Sequence, residues 1–456
     1  MPAAPVALKI GYIGGGSRGW AHGLMKDLAL CPWFTGEVRL YDIDYEAARL
    51  NERIGARIQS LPGTQSRWRY RAVRTLKEAL AGADFVFLSI QPGPIEFMKH
   101  DLELPMKYGV YQPVGDTTGP GGLVRGLRSA RIYKGFAEAV ATHCPRAWVI
   151  NFTNPMAICT RTLHEVFPAI KAFGCCHEVF GTQHMLGRLY AGEHGVPRPP
   201  RTDITVNVLG VNHFTWIDRA HYKGEDLLAL VRTRLARPGA LRFYTKAGLL
   251  KESSSVFHSM GRVTNELFHR FGILAAAGDR HLAEFVPWFL TSRTSCYRWG
   301  FRLTPYSYRI GRWRSAPRLF RRQLAGAEPI VLQRSDEEYM NQMAALAGLC
   351  TLRTNVNLPN RGQMGGIPLG PVVETNAVFS RDTVEPVVSG SLPEAVNALV
   401  HPHTVNQTLI VQGALEGDKD KAFAAFVIDP LNHRLPVDGA WKLFNEMLRA
   451  TRFSFD

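Results

Sequence analysis

The sequence predicts an α/β fold whose first part is a Rossmann-like, doubly wound parallel sheet. Three observations predict it. A glycine turn, Gly14-Gly15-Gly16-Ser17, stands between an apolar run and a helical run. The run Ala83–Ser89 is almost continuously apolar, as a strand buried on both faces requires. Strand-like and helix-like segments then alternate up to residue 175, the pattern of right-handed βαβ crossovers.

Leu8–Ile13 reads as the first strand and Trp20–Leu30 as the first helix. Strand, turn and helix bring backbone N–H groups and a helix N-terminus to one point, which suits a pyrophosphate. The turn Gly14, Gly15, Gly16, Ser17 is not a strict G-x-G-x-x-G. Support comes from Val38–Asp42, a second strand ending in an acid. Asp42 lies 28 residues after Gly14, compatible with a longer first crossover, and is placed to bind ribose hydroxyls and favour NAD over NADP. Asp44 is the expected cap of a helix over Tyr45–Ser60. The strand Ala83–Ser89 leads into the loop Ile90–Pro94, whose Gln91 and Pro92 join the cofactor-binding candidates. Helices follow near Ile95–Tyr108 and Leu123–Thr142. Ala147–Ile150 is a strand ending in Asn151–Pro155, and Pro155 suits the first turn of a helix reaching Val166. Ile170–Cys175 is the next strand. In such sheets ligands bind beyond the carboxyl ends of the strands. Gly14–Ser17, Ser89–Pro94, Asn151–Pro155 and Cys176–Glu178 are therefore expected along one edge.

Beyond residue 200 the pattern changes, so the chain divides into parts 1–200 and 201–456. Asp203–Leu209, continuing to Asn212-His213, reads as a strand with Phe214–His221 as its hairpin partner. Helical segments dominate Ala229–Gly272, and Phe271–Pro287 is a polar cluster in an apolar setting. Leu358–Gly362 and Val372–Asn376 read as a loop and a strand returning to the site. Helices over Val405–Glu416, Lys419–Val427 and Val437–Thr451 close the chain. With no repeat, low-complexity tract or long linker, the second half is expected to pack on the first without an independent core.

Apolar residues make up 46% of the 456, ample for a core. No stretch approaches 18 apolar residues, and the N-terminus lacks a basic region before its apolar run, so neither a membrane span nor a signal peptide is expected. Seven cysteines without framework spacing fit a reducing, cytoplasmic setting. The net charge is +15, but its densest run, Arg309–Arg322, contains Trp313 and Pro317 and matches no nucleic-acid module. That run reads as a solvated face or subunit contact, or as a surface attracting an anionic small substrate.

The chemistry gathers at Lys171–Glu178, which begins as a buried strand and ends in metal-capable side chains. A second segment of that kind is Leu209–Phe214. Cys176 and His213 meet at one metal if both segments end at the same sheet edge. The alternative is that Cys175 and Cys176 are small core residues.

Taken in order, Ile13–Ser17, Lys107–Gly109 with Gly115–Gly122, Asn151–Pro155, Gly174–His177, Gly210–His213, His281–Phe285 and Val373-Glu374 resemble the family 4 glycoside hydrolases over nearly the whole chain. The resemblance implies a lactate/malate-dehydrogenase-like NAD domain over 1–200. It implies an α+β domain for substrate, metal and oligomer contacts over 201–456, in a homodimer or homotetramer. It puts metal ligands on Cys176 and His213, with Mn²⁺ the expected ion, although thiolate softness alone favours zinc. Cys176-His177 resembles the α-glucosidase, α-galactosidase and α-uronidase side of the family. The route implied lies outside the two-carboxylate mechanism usual for glycosidases. C3 of the sugar is oxidised by NAD⁺, the acidified C2 proton is removed, the C1 substituent is eliminated, water adds, and the ketone is reduced again.

Several relatives take the C2 proton with a tyrosine in the region of 271–279, which this sequence lacks. Asp279 is the nearest substitute, with a turn or cap as its alternative role. Asp116 is expected to position a sugar hydroxyl or assist the leaving group, and His177 to support the metal or act as an acid. Asn154 and Asn212 are substrate or ligand-orienting candidates. Gly278–His281 and Val373–Asn376 resemble the α-galacturonidase branch, with Arg280 pairing with a C6 carboxylate. The expected substrate is accordingly an α-uronide such as an α-galacturonide, with a neutral α-glucoside or α-galactoside as runner-up. A plain NAD-dependent sugar dehydrogenase and a nucleotide-sensing protein are the alternatives from other classes; neither needs a Cys/His metal pair.

Overall fold

The computed structural model describes residues 4–252 and 254–456. Its main sheet opens with six parallel strands: β1 (Val6–Ile13), β2 (Phe34–Tyr41), β3 (Trp68–Val73), β4 (Phe85–Leu88), β5 (Trp148–Asn151) and β6 (Lys171–Gly174). They lie side by side in the order β3-β2-β1-β4-β5-β6. This is the doubly wound arrangement that the sequence predicts. The four residues of β4 are all buried, because helices cover both faces. On one face Met25, Leu28, Ile54 and Ile58, from helices Trp20–Ala29 and Tyr45–Gln59, pack with Tyr12, Val38 and Leu40. On the other, Leu80, Tyr133, Val140 and Leu163 pack with Ile13, Val86 and Val149. Asp44 caps its helix as expected, accepting from Ala47 N at 3.1 Å.

β3 was not foreseen. Its sequence Trp-Arg-Tyr-Arg alternates buried and exposed residues, as an edge strand with one covered face does. The second half begins with the expected hairpin, β7 (Thr205–Val211) with β8 (Phe214–Tyr222), to which β9 (Glu225–Asp226) and β10 (Leu274–Ala275) add. The chain then returns to the first sheet. β11 (Leu352–Pro359) lies antiparallel beside β6 through Asn357 and Gly174. After the short β12 (Met364–Gly365), β13 (Val372–Ser380) and β14 (Thr383–Pro386) extend the sheet antiparallel to nine strands.

The expectation that the second half has no core of its own does not hold. Leu209, Phe214, Trp216, Val263, Phe285, Phe289 and Phe301 belong to a buried cluster to which the first half gives only Val110. Its apolar residues come from short runs broken by glycine and proline, so no single segment announces it. The Arg-rich run is a helix, Tyr306–Leu324, mostly exposed and seated on the first core through Phe320. Among the described residues no helix is long and apolar enough to cross a membrane.

Candidate active site

The parallel strands bring the glycine turn, the Ile90–Pro94 loop, Asn151–Pro155 and Cys175-Cys176 to one edge, beyond β1, β4, β5 and β6. The glycine turn is tight. Gly14 has φ +91, and a Cβ there would sit 2.0 Å from the carbonyl oxygen of Ser89. A Cβ on Gly16 would lie 2.9 Å from Asp42 Oδ2. That oxygen accepts from Gly16 N at 2.8 Å, and Asp42 Oδ1 accepts from Asp44 N at 2.9 Å. Ser17 closes the turn by donating its N–H to Gly14 O. The cradle has room for a ligand backbone and none for side chains, and the helix Trp20–Ala29 starts beside it.

Asn212 and His213 form a two-residue turn between β7 and β8, since Val211 pairs with Phe214. His213 has φ 65, a left-handed conformation that costs a β-substituted residue free energy and marks functional sites. Asp116, His213 and His281 each place one ligand-capable atom within 4.8 Å of the others, the sole such His/Cys/Asp/Glu trio among the described residues. The imidazoles of His213 and His281 lie 3.9 Å apart between centroids. Thr117 Oγ1 donates to Asp116 Oδ1 at 2.9 Å and is 2.8 Å from His213 Nδ1. The hydroxyl hydrogen is spent on Asp116, so Nδ1 is the donor in the second contact. Nε2 of His213 then carries the lone pair a metal needs.

Burial holds both imidazoles neutral, His213 down to about 3 and His281 to about 4. Burial raises the Asp116 carboxyl, yet His281, Arg125, His213 and Arg309 bring it down to about 2. With the imidazoles neutral, Arg125, Arg309 and Arg280 are standing positive charges near it. Burial pushes the Cys176 thiol well up, helped by Glu374 and Glu178, so it stays protonated unless a cation sits beside it. Cys176 lies against Asn212, whose Nδ2 donates to Glu374 Oε2 at 3.1 Å. It stands outside the trio, whereas His213 belongs to it. These donors, two imidazoles and a carboxylate with a thiol on the Asn212 side, suit a divalent transition ion.

His177 Nδ1 is 2.7 Å from Glu337 Oε1, a hydrogen bond that raises the imidazole to about 9. It therefore carries a proton at neutral pH. Asp279 is only 1% exposed and faces the start of the helix Arg262–Phe271, where its Oδ1 accepts from Thr264 N at 3.0 Å. Burial raises its carboxyl to about 6, and the N–H groups of Thr264, Val263 and Arg262 oppose the rise. This is the geometry of a helix cap. It ties the 279–282 turn, with Arg280 and His281, to that helix. Arg280 Nη2 donates to Pro113 O at 3.0 Å and to Thr304 Oγ1.

Arg125 was overlooked. It sits on the helix Gly119–His143, donates from Nε to Asn154 O at 2.9 Å, and reaches Gln91 Oε1 at 3.2 and 3.3 Å. One guanidinium thus links the 90–94 loop to the 151–155 turn beside Asp116. Gln91 Nε2 and Asn154 Oδ1 remain buried without partners, a donor and an acceptor left open for a ligand. Thr117, Glu178, His281 and Arg309 were also given no role. His281 stands in a segment that the sequence singles out, two residues past Asp279, and was the one within reach.

Two family profiles cover the chain, the family 4 glycosyl hydrolase over residues 9–191 and its C-terminal domain over 208–432. This chain belongs to glycosyl hydrolase family 4. Among family members, an alpha-galacturonidase of Thermoanaerobacter italicus is 49% identical over 447 residues, 98% of this chain and 96% of that one. The crystal structure of a putative glucosidase from Bacillus subtilis superposes with TM-score 0.90 at 45% identity, over 97% of this chain and 100% of that one. A 6-phospho-alpha-glucosidase from gut microorganisms, solved in complex with NAD and Mn²⁺, shares the fold at 19% identity with TM-score 0.81, over 98% of each chain. The site described above is thus that of a family 4 chain, and its glycine cradle and trio lie in the two matched regions.

Proposed function

We propose that this chain hydrolyses α-galacturonides with NAD⁺ and Mn²⁺, by transient oxidation at C3 and elimination across C2 and C1. The observation that carries the substrate is the 49% identity over nearly the full length with an alpha-galacturonidase. The cofactors are supported by the glycine cradle, by His213 with its Nδ1 held by Thr117, and by a protein of the same fold solved with NAD and Mn²⁺. The chemistry these groups supply when bound is a reversible hydride transfer at C3 and Lewis-acid polarisation of the C2 and C3 oxygens.

The chain's own residues then take the following parts. Residues Gly14, Gly15, Gly16, Ser17, Asp42, Gln91 and Pro92 hold the dinucleotide, in the 1–200 part. Cys176 and His213 hold the metal, with Thr117 fixing the tautomer of His213. Asp116, ionised by its positive neighbours, orients a sugar hydroxyl. Asn154 and Asn212 bind the sugar. Asp279 Oδ1 is held by Thr264 while its Oδ2 has no partner, so Asp279 is one base for the C2 proton and His281, neutral and with an unpartnered Nδ1, is the other. Glu178 Oε1, 3.7 Å from His281 Nε2, stabilises the imidazolium that forms. His177 is the acid that meets the leaving oxygen. A cytoplasmic homodimer or homotetramer completes the proposal.

The test is a substrate pair. With NAD⁺, Mn²⁺ and a reducing agent, an aryl α-galacturonide should exceed the matching α-galactoside in kcat/KM. Replacing Arg280 by alanine should narrow that gap about ten- to a hundredfold, the worth of a charge-assisted hydrogen bond. A wild-type preference for the galactoside or glucoside would end the uronide reading and leave the family assignment standing.

A further inference from the structure

Arg309 stands in the first turn of the helix Tyr306–Leu324, and its Nη2 donates to Val114 O at 3.0 Å. Arg280, from the 279–282 turn, donates from Nη2 to the preceding carbonyl, Pro113 O, at 3.0 Å. Two guanidinium groups from separate elements are therefore tethered to successive residues of the loop that leads to Asp116. Each keeps a buried Nε–H with no partner. Arg280 is itself only 8% exposed.

The hydrogen bonds of both guanidinium groups go to carbonyl and hydroxyl oxygens, and none of these partners is a carboxylate. Glu284 is nearby, but its oxygens accept from Val114 N, Gly115 N and the Gln112 amide. Glu178 Oε2 accepts from Gly278 N at 2.7 Å. Asp116 and Glu284 act on both cations from farther off, and neither is hydrogen-bonded to them. Two like charges held together in a site this enclosed are costly unless an anion joins them. A planar carboxylate matches two guanidinium N–H donors better than a spherical ion does.

We propose that Arg309 and Arg280 together form the subsite for the C6 carboxylate of a uronide, and that Arg309 is a specificity-determining residue. This rests on the galacturonidase reading above. It also gives a use to one arginine of the 309–322 run, while Arg312, Arg314 and Arg318 of the same helix are exposed.

The experiment compares kcat/KM for the aryl α-galacturonide and α-galactoside in the holoenzyme with NAD⁺ and Mn²⁺. Arg309→Gln should reduce the galacturonide-to-galactoside ratio about ten- to a hundredfold. Arg309→Lys should recover part of it, since the charge remains and the fork is lost. Arg314→Gln, on the exposed side, should leave the ratio as it was. Calorimetric titration with D-galacturonate should show weaker binding to Arg309→Gln, while D-galactose binding changes less. A wild-type enzyme that prefers the galacturonide and an Arg309→Gln enzyme with the same ratio would overturn the assignment of Arg309 alone. A wild-type enzyme that prefers the galactoside would instead remove the substrate reading, and this inference with it. If Arg309→Gln fails to fold, an unchanged ratio in Arg309→Lys overturns the proposal.

Discussion

Replacing His213 by asparagine is expected to lower kcat/KM on the α-galacturonide by at least about a thousandfold, because Lewis-acid stabilisation of developing charge is worth several kcal/mol. Asparagine is chosen because it tolerates the left-handed φ of 65 that this turn imposes. Folding should survive, so the loss can be assigned to chemistry. His213 belongs to the trio with Asp116 and His281 and is also the proposed partner of Cys176, so the effect is expected whichever neighbours complete the coordination. Calorimetric titration with Mn²⁺ should show binding lost in His213→Asn. Cys176→Ser should then behave alike if the thiol is a ligand. Metal binding that survives in Cys176→Ser and fails in His281→Ala would shift the site onto the trio. Activity of His213→Asn within tenfold of wild type would remove His213 from the metal altogether.

Gly14→Ala should cost about 2–5 kcal/mol of stability, from a left-handed φ without glycine and from overpacking. A Cβ at this position meets Ser89 O at 2.0 Å and Ser89 C at 2.7 Å, and both atoms are backbone. Relief requires the β1 and β4 ends to part, which opens the dinucleotide cradle. NAD⁺ affinity should therefore fall about tenfold or more, since two kcal/mol already exceed a tenfold change. Gly23, in the helix Trp20–Ala29, is the control, because a Cβ there meets nothing within 4 Å. Gly23→Ala should leave NAD⁺ binding alone and raise the melting temperature slightly. Thermal melts and NAD⁺ titrations of the two variants decide the matter. Wild-type NAD⁺ affinity in Gly14→Ala would place the dinucleotide elsewhere.

The parallel sheet was legible because burial on both faces leaves continuous apolar runs, as at Phe85–Leu88, and because a glycine turn and Asp44 punctuate the first two crossovers. β3 was not, since an edge strand alternating tryptophan, tyrosine and arginine lacks that signal. That β11 and β13 would join β6 depends on a contact between residues far apart in sequence, Asn357 and Gly174. The site divides the same way. Gly14, Asp42, Asn154, Cys176 and His213 stand at strand ends or turns where the local pattern points. The capping of Thr264 by Asp279 is a contact across 15 residues that exists only after the turn folds back. Arg125 and Arg309 looked like ordinary helix residues, one on an apolar helix and the other inside an arginine run. Their roles come from the carbonyls of Asn154 and Val114, brought to them by tertiary packing.

The route itself is tested most directly by solvent isotope. Removal of the C2 proton by a side chain open to exchange implies that the sugar regains its hydrogen at C2 from solvent. Hydrolysis of the α-galacturonide in D₂O, with NAD⁺ and Mn²⁺ present, should release galacturonate carrying deuterium at C2, whichever base acts. Complete hydrolysis that leaves protium at C2 would contradict the account.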